Sequence, residues 1–233
     1  MKLWAYGDSF VAGDQDIPGR IDAIPENMEY NRYNISFASV LAKERGVELI
    51  NRGISGCSNF VQLDQLYIDS NTISHDDMVL FCITSPWRDR WSIPHQGPDF
   101  LKPTRGPALV DRILINSETH RVGIVDFFYT LSVIKQLQEI HKFKVVAFNL
   151  FHNVLQDAAV EDLAKFDFDN FIGLKETGNT VLNVLADSWG EQDGKHNHAV
   201  WTPPVRLEHL FTVNRHPSAE GHKKIAKWLC QYI

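Results

Sequence analysis

The sequence predicts a three-layer α/β/α sandwich built on a mainly parallel sheet, and three observations predict it. Strand-like and helix-like segments alternate along most of the chain, the order that buries a parallel sheet between two layers of helices. The Met78–Ile83 segment is near-continuously apolar, as a strand covered on both faces must be. The chain has 233 residues, 44% hydrophobic and 22% charged, enough to bury one large core without a disulfide or metal staple. Residues 1–233 are expected to form a single domain, with a Pro- and Trp-rich insertion at about 86–122.

Residues 2–7 predict a short buried strand, ended by Gly7-Asp8-Ser9. Residues 14–34 are polar and contain Pro18, Gly19 and Pro25, a loop long enough to suspect a functional role. Ser36 can cap a helix from Phe37 to Glu44, which Gly46 ends. Glu48-Leu49-Ile50 predicts a second strand, and a helix follows from about Asn59 to Ile68. Met78–Ile83 is the third strand. Prolines 86, 94, 98, 103 and 107 interrupt the pattern, which marks an insertion or lid over one edge and not a second domain. Val125, Phe128, Leu131, Ile134 and Leu137 recur at helical spacing and predict a helix from Val122 to Lys142. Lys144–Leu150 is the fourth strand, 156–186 suggests irregular helices around Gly173 and Gly178, and 187–215 reads mostly as loop. Ser218 caps a last helix to about Leu229.

Lysine and arginine total 23 against 29 aspartates and glutamates, a net charge of −6 with no basic run. That argues against nucleic acid and against an anionic membrane surface as partners. No run of 18 apolar residues is present, so no membrane span is expected. Cys57, Cys82 and Cys230 fit neither a disulfide framework nor a zinc site, and Cys82 lies in an apolar run as a small core residue. The N-terminus lacks the apolar stretch of a signal peptide. The expectation is a cytoplasmic protein, or part of a particle assembled in the cytoplasm. The sequence does not fix the oligomeric state.

In parallel sheets ligands bind beyond the carboxyl ends of the strands. Three segments fall there: Gly7-Asp8-Ser9, Gly53 to Gly56, and Thr84 to Arg88. A hydroxyl at Ser9 projects from the sheet edge and suits a nucleophile if a base is near, although serine is equally a preferred helix cap. His216 stands just before the last helix and is stiffened by Pro217. That segment reaches the same edge as Ser9. Imidazole titrates near neutral pH and can take a proton from an alcohol. Ten histidines are present, so position and not mere presence singles this one out.

Gly7-Asp8-Ser9-Phe10 resembles the first block of the SGNH (GDSL-like) hydrolases, Asn51-Arg52-Gly53-Ile54-Ser55-Gly56 their second block, and His216-Pro217-Ser218-Ala219-Glu220-Gly221-His222 their histidine block. The blocks stand in the family's order. The resemblance covers both ends of the chain and the strands between, but not 86–122 or 151–205. It implies a flavodoxin-like sheet, Ser9 as nucleophile, His216 as general base, and the N–H groups of Ser9 and Gly56 as oxyanion donors. The sequence departs from the family at two points. The third-block asparagine is missing from Ile83-Thr84-Ser85-Pro86-Trp87-Arg88, where Thr84 or Ser85 could donate through a hydroxyl and Arg88 through its charge. The aspartate three residues before the histidine is replaced by Val213. Asn214 or a backbone carbonyl is then the expected orienter of His216. No carboxylate precedes it nearer than Glu208, and losing the acid of a triad costs up to about 10⁴ in rate.

Asn59, Trp87 and Arg88 are candidate substrate contacts. Trp91, Trp189 and Trp201 can stack on a sugar or simply pack the loops onto the sheet. His196 and His198 with Asp193 lack zinc-site spacing, and Gly53-x-x-Gly56 lacks the lysine of a phosphate loop, so neither metal nor cofactor is expected. The resemblance implies an ester hydrolase working through a Ser–His dyad or rewired triad, on a small-molecule or carbohydrate ester, such as an O-acetyl group. The alternative is a catalytically weak module of this fold serving glycan binding or a structural role in an assembly.

Overall fold

The computed structural model describes residues 1–13, 35–84, 117–150, 171–172, 180–186, 205–211 and 216–233. Among them are five strands: β1 (Lys2–Tyr6), β2 (Glu48–Asn51), β3 (Met78–Ile83), β4 (Lys144–Asn149) and β5 (Phe171–Ile172). All pairings are parallel, in the order β2-β1-β3-β4-β5. The helices are α1 (Ser9–Ala12), α2 (Phe37–Arg45), α3 (Asn59–Asp69), α4 (Ser117–His141), α5 (Val181–Ala186) and α6 (Ala219–Leu229), with a 3₁₀ turn at Val205–Leu210. Among the described residues no helix is long and apolar enough to cross a membrane.

Alternation along each strand divides the core in two. Leu3, Ala5, Leu80, Cys82, Val146 and Phe148 face α2, α5 and α6, where Phe37, Leu41, Leu185, Ile225 and Leu229 meet them. Trp4, Tyr6, Val79, Phe81, Val145 and Ala147 face α3 and α4, against Leu63, Leu66, Phe127, Leu131 and Ile134. The sandwich is therefore three-layered. Helix ends follow local chemistry. Ser36 Oγ accepts from the Ser39 N–H at 3.2 Å to start α2, and Gly46, at φ 64°, ends it. Ser218 Oγ accepts from the Gly221 N–H at 3.2 Å to start α6.

The differences from the sequence expectation are local. Helix α4 starts at Ser117, inside the range read as insertion, and the rest of that insertion lies outside the described residues. Strand β5 was not foreseen, because two residues cannot display an alternation. Helix α1 is a single turn that no periodicity can announce.

His222 is fully buried between α6 and α2, where its Nδ1 accepts the Phe37 N–H at 3.2 Å. Burial first, and the charge of His216 second, pushes its pKa down from 6.5 to about 3. The folded form thus stays neutral in a window where the unfolded imidazole is protonated. This stabilisation is complete above pH 6.5 and is expected to fall by about 1.4 kcal/mol per pH unit as the pH drops toward 3. Urea denaturation at stepped pH measures the slope, and the His222 ring resonances should not titrate from pH 7 to about 4.

Candidate active site

The strand order reverses between β1 and β3. β1 continues toward β2 on one side and β3 toward β4 on the other, so their carboxyl ends open a crevice. Ser9 follows β1 and Thr84 follows β3, which places both at that crevice.

Asp8 caps α1: its Oδ1 accepts the Phe10 N–H at 3.0 Å. Ser9 is the first residue of the turn, and its side chain lies in a mostly buried setting at 7% exposure. His216 Nε2 lies 2.9 Å from Ser9 Oγ, across 207 positions of sequence. The residues directly after His216 are tied back to the 3₁₀ turn and Phe211. Pro217 bridges Phe211, the Ser218 N–H donates to Leu210 O at 2.9 Å, and Ser218 Oγ donates to His209 O at 2.7 Å. The Phe10 ring packs against the imidazole with centroids 5.5 Å apart.

The turn after β2 clamps the serine turn. The Asn51 side-chain amide donates to Val11 O at 2.8 Å and its carbonyl accepts the Gly53 N–H at 2.9 Å. A Cβ on Gly53 would fall 2.3 Å from Ala12 N, so only glycine permits this approach. Gly56 adopts φ 72°, the left-handed region, and is exposed. Behind this turn, Arg52 makes a bidentate pair with Asp69, both bonds at 2.9 Å, and the same carboxylate accepts the Tyr6 hydroxyl at 3.0 Å. Burial, then the charge of Asp69, raises the Tyr6 pKa far above the usual phenol range, which keeps it a donor.

After β3, the Thr84 hydroxyl donates to Asp8 Oδ2 at 3.0 Å. A hydroxyl has one proton, and here Asp8 holds it. An oxyanion donor role for Thr84 through that hydroxyl does not fit this arrangement. Asn59 is buried and pairs with the Thr84 backbone, accepting its N–H at 2.9 Å and donating to its O at 3.1 Å. Its amide thus splices the start of α3 onto the end of β3. Ser85, Trp87, Arg88 and Asn214 lie outside the described residues, as do Trp91, Trp189, Trp201, Asp193, His196 and His198. Glu208 is exposed on the 3₁₀ turn.

Sequence reasoning passed over three residues that build the site: buried Asp8, half-buried Asn51, and buried Gln62, whose Oε1 accepts the Gly7 N–H at 2.9 Å. Asp8 carried a signal, since aspartate before a helix start is a preferred cap. Asn51 and Gln62 carried none beyond their neighbourhood, because each acts on backbone groups far away in sequence.

No family model matches the sequence, and no curated protein does. Solved structures do match. A G-D-S-L family protein from Desulfitobacterium hafniense DCB-2 aligns at TM-score 0.51 and 15% identity over 100% of this chain and 99% of that one. A family two carbohydrate esterase from Clostridium thermocellum, solved with cellohexaose, aligns at TM-score 0.52 and 11% identity over 99% of this chain and 62% of that one. A carbohydrate esterase described for divergent catalytic and non-catalytic binding functions aligns at TM-score 0.50 and 12% identity over 99% and 64%. The chain thus spans less than two thirds of the two carbohydrate esterases. At these identities the likeness shows the fold, an SGNH/GDSL-like α/β/α sandwich.

Proposed function

We propose that the protein is a serine ester hydrolase working through an acyl-enzyme, and the observation that carries this is the 2.9 Å contact between Ser9 Oγ and His216 Nε2 at the β1/β3 crevice. With Nε2 unprotonated, the hydroxyl donates to it. Oγ attacks the ester carbonyl, its proton passes to Nε2, and a tetrahedral oxyanion forms. Ser9 is the first residue of α1, so its N–H has no acceptor within the helix and is available as an oxyanion donor. Gly56, exposed on the second turn at φ 72°, supplies the second N–H. The imidazolium then protonates the leaving alkoxide, and water, deprotonated by the same nitrogen, releases the acid. The carbohydrate esterases that share this fold make a glycan O-acyl group the first substrate class to test.

The test is hydrolysis of p-nitrophenyl acetate by wild type and by Ser9→Ala. Wild type is expected to be faster by about 10³-fold or more. Equal rates would remove the enzyme reading and leave the non-catalytic module.

A further inference from the structure

Resting on that reading, we infer that Cys57 and Gln62 are positioning residues that set the spacing between the amides of Ser9 and Gly56. The observation is a closed ring of three hydrogen bonds among buried groups. The Gly7 N–H donates to Gln62 Oε1 at 2.9 Å, Gln62 Nε2 donates to Cys57 Sγ at 2.8 Å, and Cys57 Sγ–H donates to Gly7 O at 3.5 Å. Gly7 O also accepts the Ile54 N–H at 2.9 Å. Cys57 and Gln62 are 0% and 1% exposed, so water does not compete for these bonds.

Gly7 is the start of the serine turn, upstream of the Asn51 and Gly53 contacts that seat Val11 and Ala12. It joins β1 to Asp8 with no side chain to restrict its dihedrals, and α1 is one turn, too short to hold itself. Both peptide planes flanking Gly7 are fixed from outside: the N–H side by Gln62, the C=O side by Ile54 and Cys57. Cys57 also directly follows Gly56. One side chain therefore ties the turn that presents Ser9 to the turn that presents Gly56. An oxyanion hole needs its two donors at a set separation, and a displacement of about 1 Å can cost a hundredfold in rate. A device acting on donor spacing affects the transition state more than substrate binding, so its loss lowers kcat and spares KM.

The experiment compares Cys57→Ala and Gln62→Met with wild type in two readouts on folded protein. The first is kcat and KM for p-nitrophenyl acetate. The expected result is a kcat lower by about tenfold to a hundredfold in both variants, KM within about twofold, and substantial recovery in Cys57→Ser, whose hydroxyl can accept from Gln62 and donate to Gly7. The second is the ¹⁵N resonance of His216 Nε2, which reports its contact with Ser9 and needs no turnover. It is expected to shift in Cys57→Ala and Gln62→Met and to return toward wild type in Cys57→Ser. If wild type turns over and both variants keep kcat within about twofold, the inference is overturned and the hydrolase reading stands. If wild type does not turn over, the hydrolase reading falls, and an unshifted His216 resonance in both variants overturns the inference as well.

Discussion

The double variant Ser9→Ala/His216→Gln is expected to hydrolyse p-nitrophenyl acetate no more slowly than either single variant, each lying about 10³-fold or more below wild type. The reason is that the two side chains act on one event. The proton that leaves Oγ goes to Nε2 across a 2.9 Å contact. Without the hydroxyl the imidazole has no nucleophile to activate, and without the imidazole the hydroxyl keeps its proton. Residues that work as a unit are not additive, so the coupling in a double-mutant cycle should nearly equal a full single-variant effect. Glutamine at 216 retains a polar side chain but not a basic nitrogen, so the loss reports proton transfer more than packing. Additive losses would mean that the residues act independently.

The second large effect is on stability. Asp69→Ala is expected to lower the unfolding free energy by about 2–4 kcal/mol, measured by urea denaturation. The carboxylate accepts both Arg52 bonds, the Tyr6 hydroxyl and the Gln65 amide. Tyr6 is fully buried and would be left with an unsatisfied hydroxyl. The Arg52 side chain is 41% exposed and can turn to water, so it adds less. Arg52→Ala should therefore cost less than Asp69→Ala, since Asp69 keeps Tyr6 and Gln65. A reversed order would place the stabilisation in the ion pair itself. Activity should follow stability, because Arg52 adjoins the Gly53 contact that seats α1.

Much of the frame was legible in the sequence for physical reasons. Met78–Ile83 was readable because a strand covered on both faces must be apolar throughout, and its bounds agree with the structure. Ser36, Gly46 and Ser218 marked helix ends because orphan backbone groups select those residue types. The meeting of Ser9 with His216 depends on a parallel topology that puts every strand's carboxyl end on one rim. What was not legible was the division of labour around the pair. Thr84 looked like a donor to substrate because hydroxyls donate, but its proton belongs to Asp8, a partner 76 positions away. Asn59 looked like a substrate contact and instead grips the Thr84 backbone. Asn51 sat in a recognised block, yet its bond to Val11 O depends on two turns meeting in space. Such bonds obey no sequence period. Only the packed sheet brings the partners together.

The most direct test of the central claim is mass spectrometry of the protein after treatment with a fluorophosphonate. The pairing of Ser9 with His216 predicts one covalent adduct, on the peptide carrying Ser9, absent in Ser9→Ala and strongly slowed in His216→Gln. An intact wild-type chain with no adduct on Ser9, or labelling of Ser9 that proceeds equally fast without His216, would contradict it.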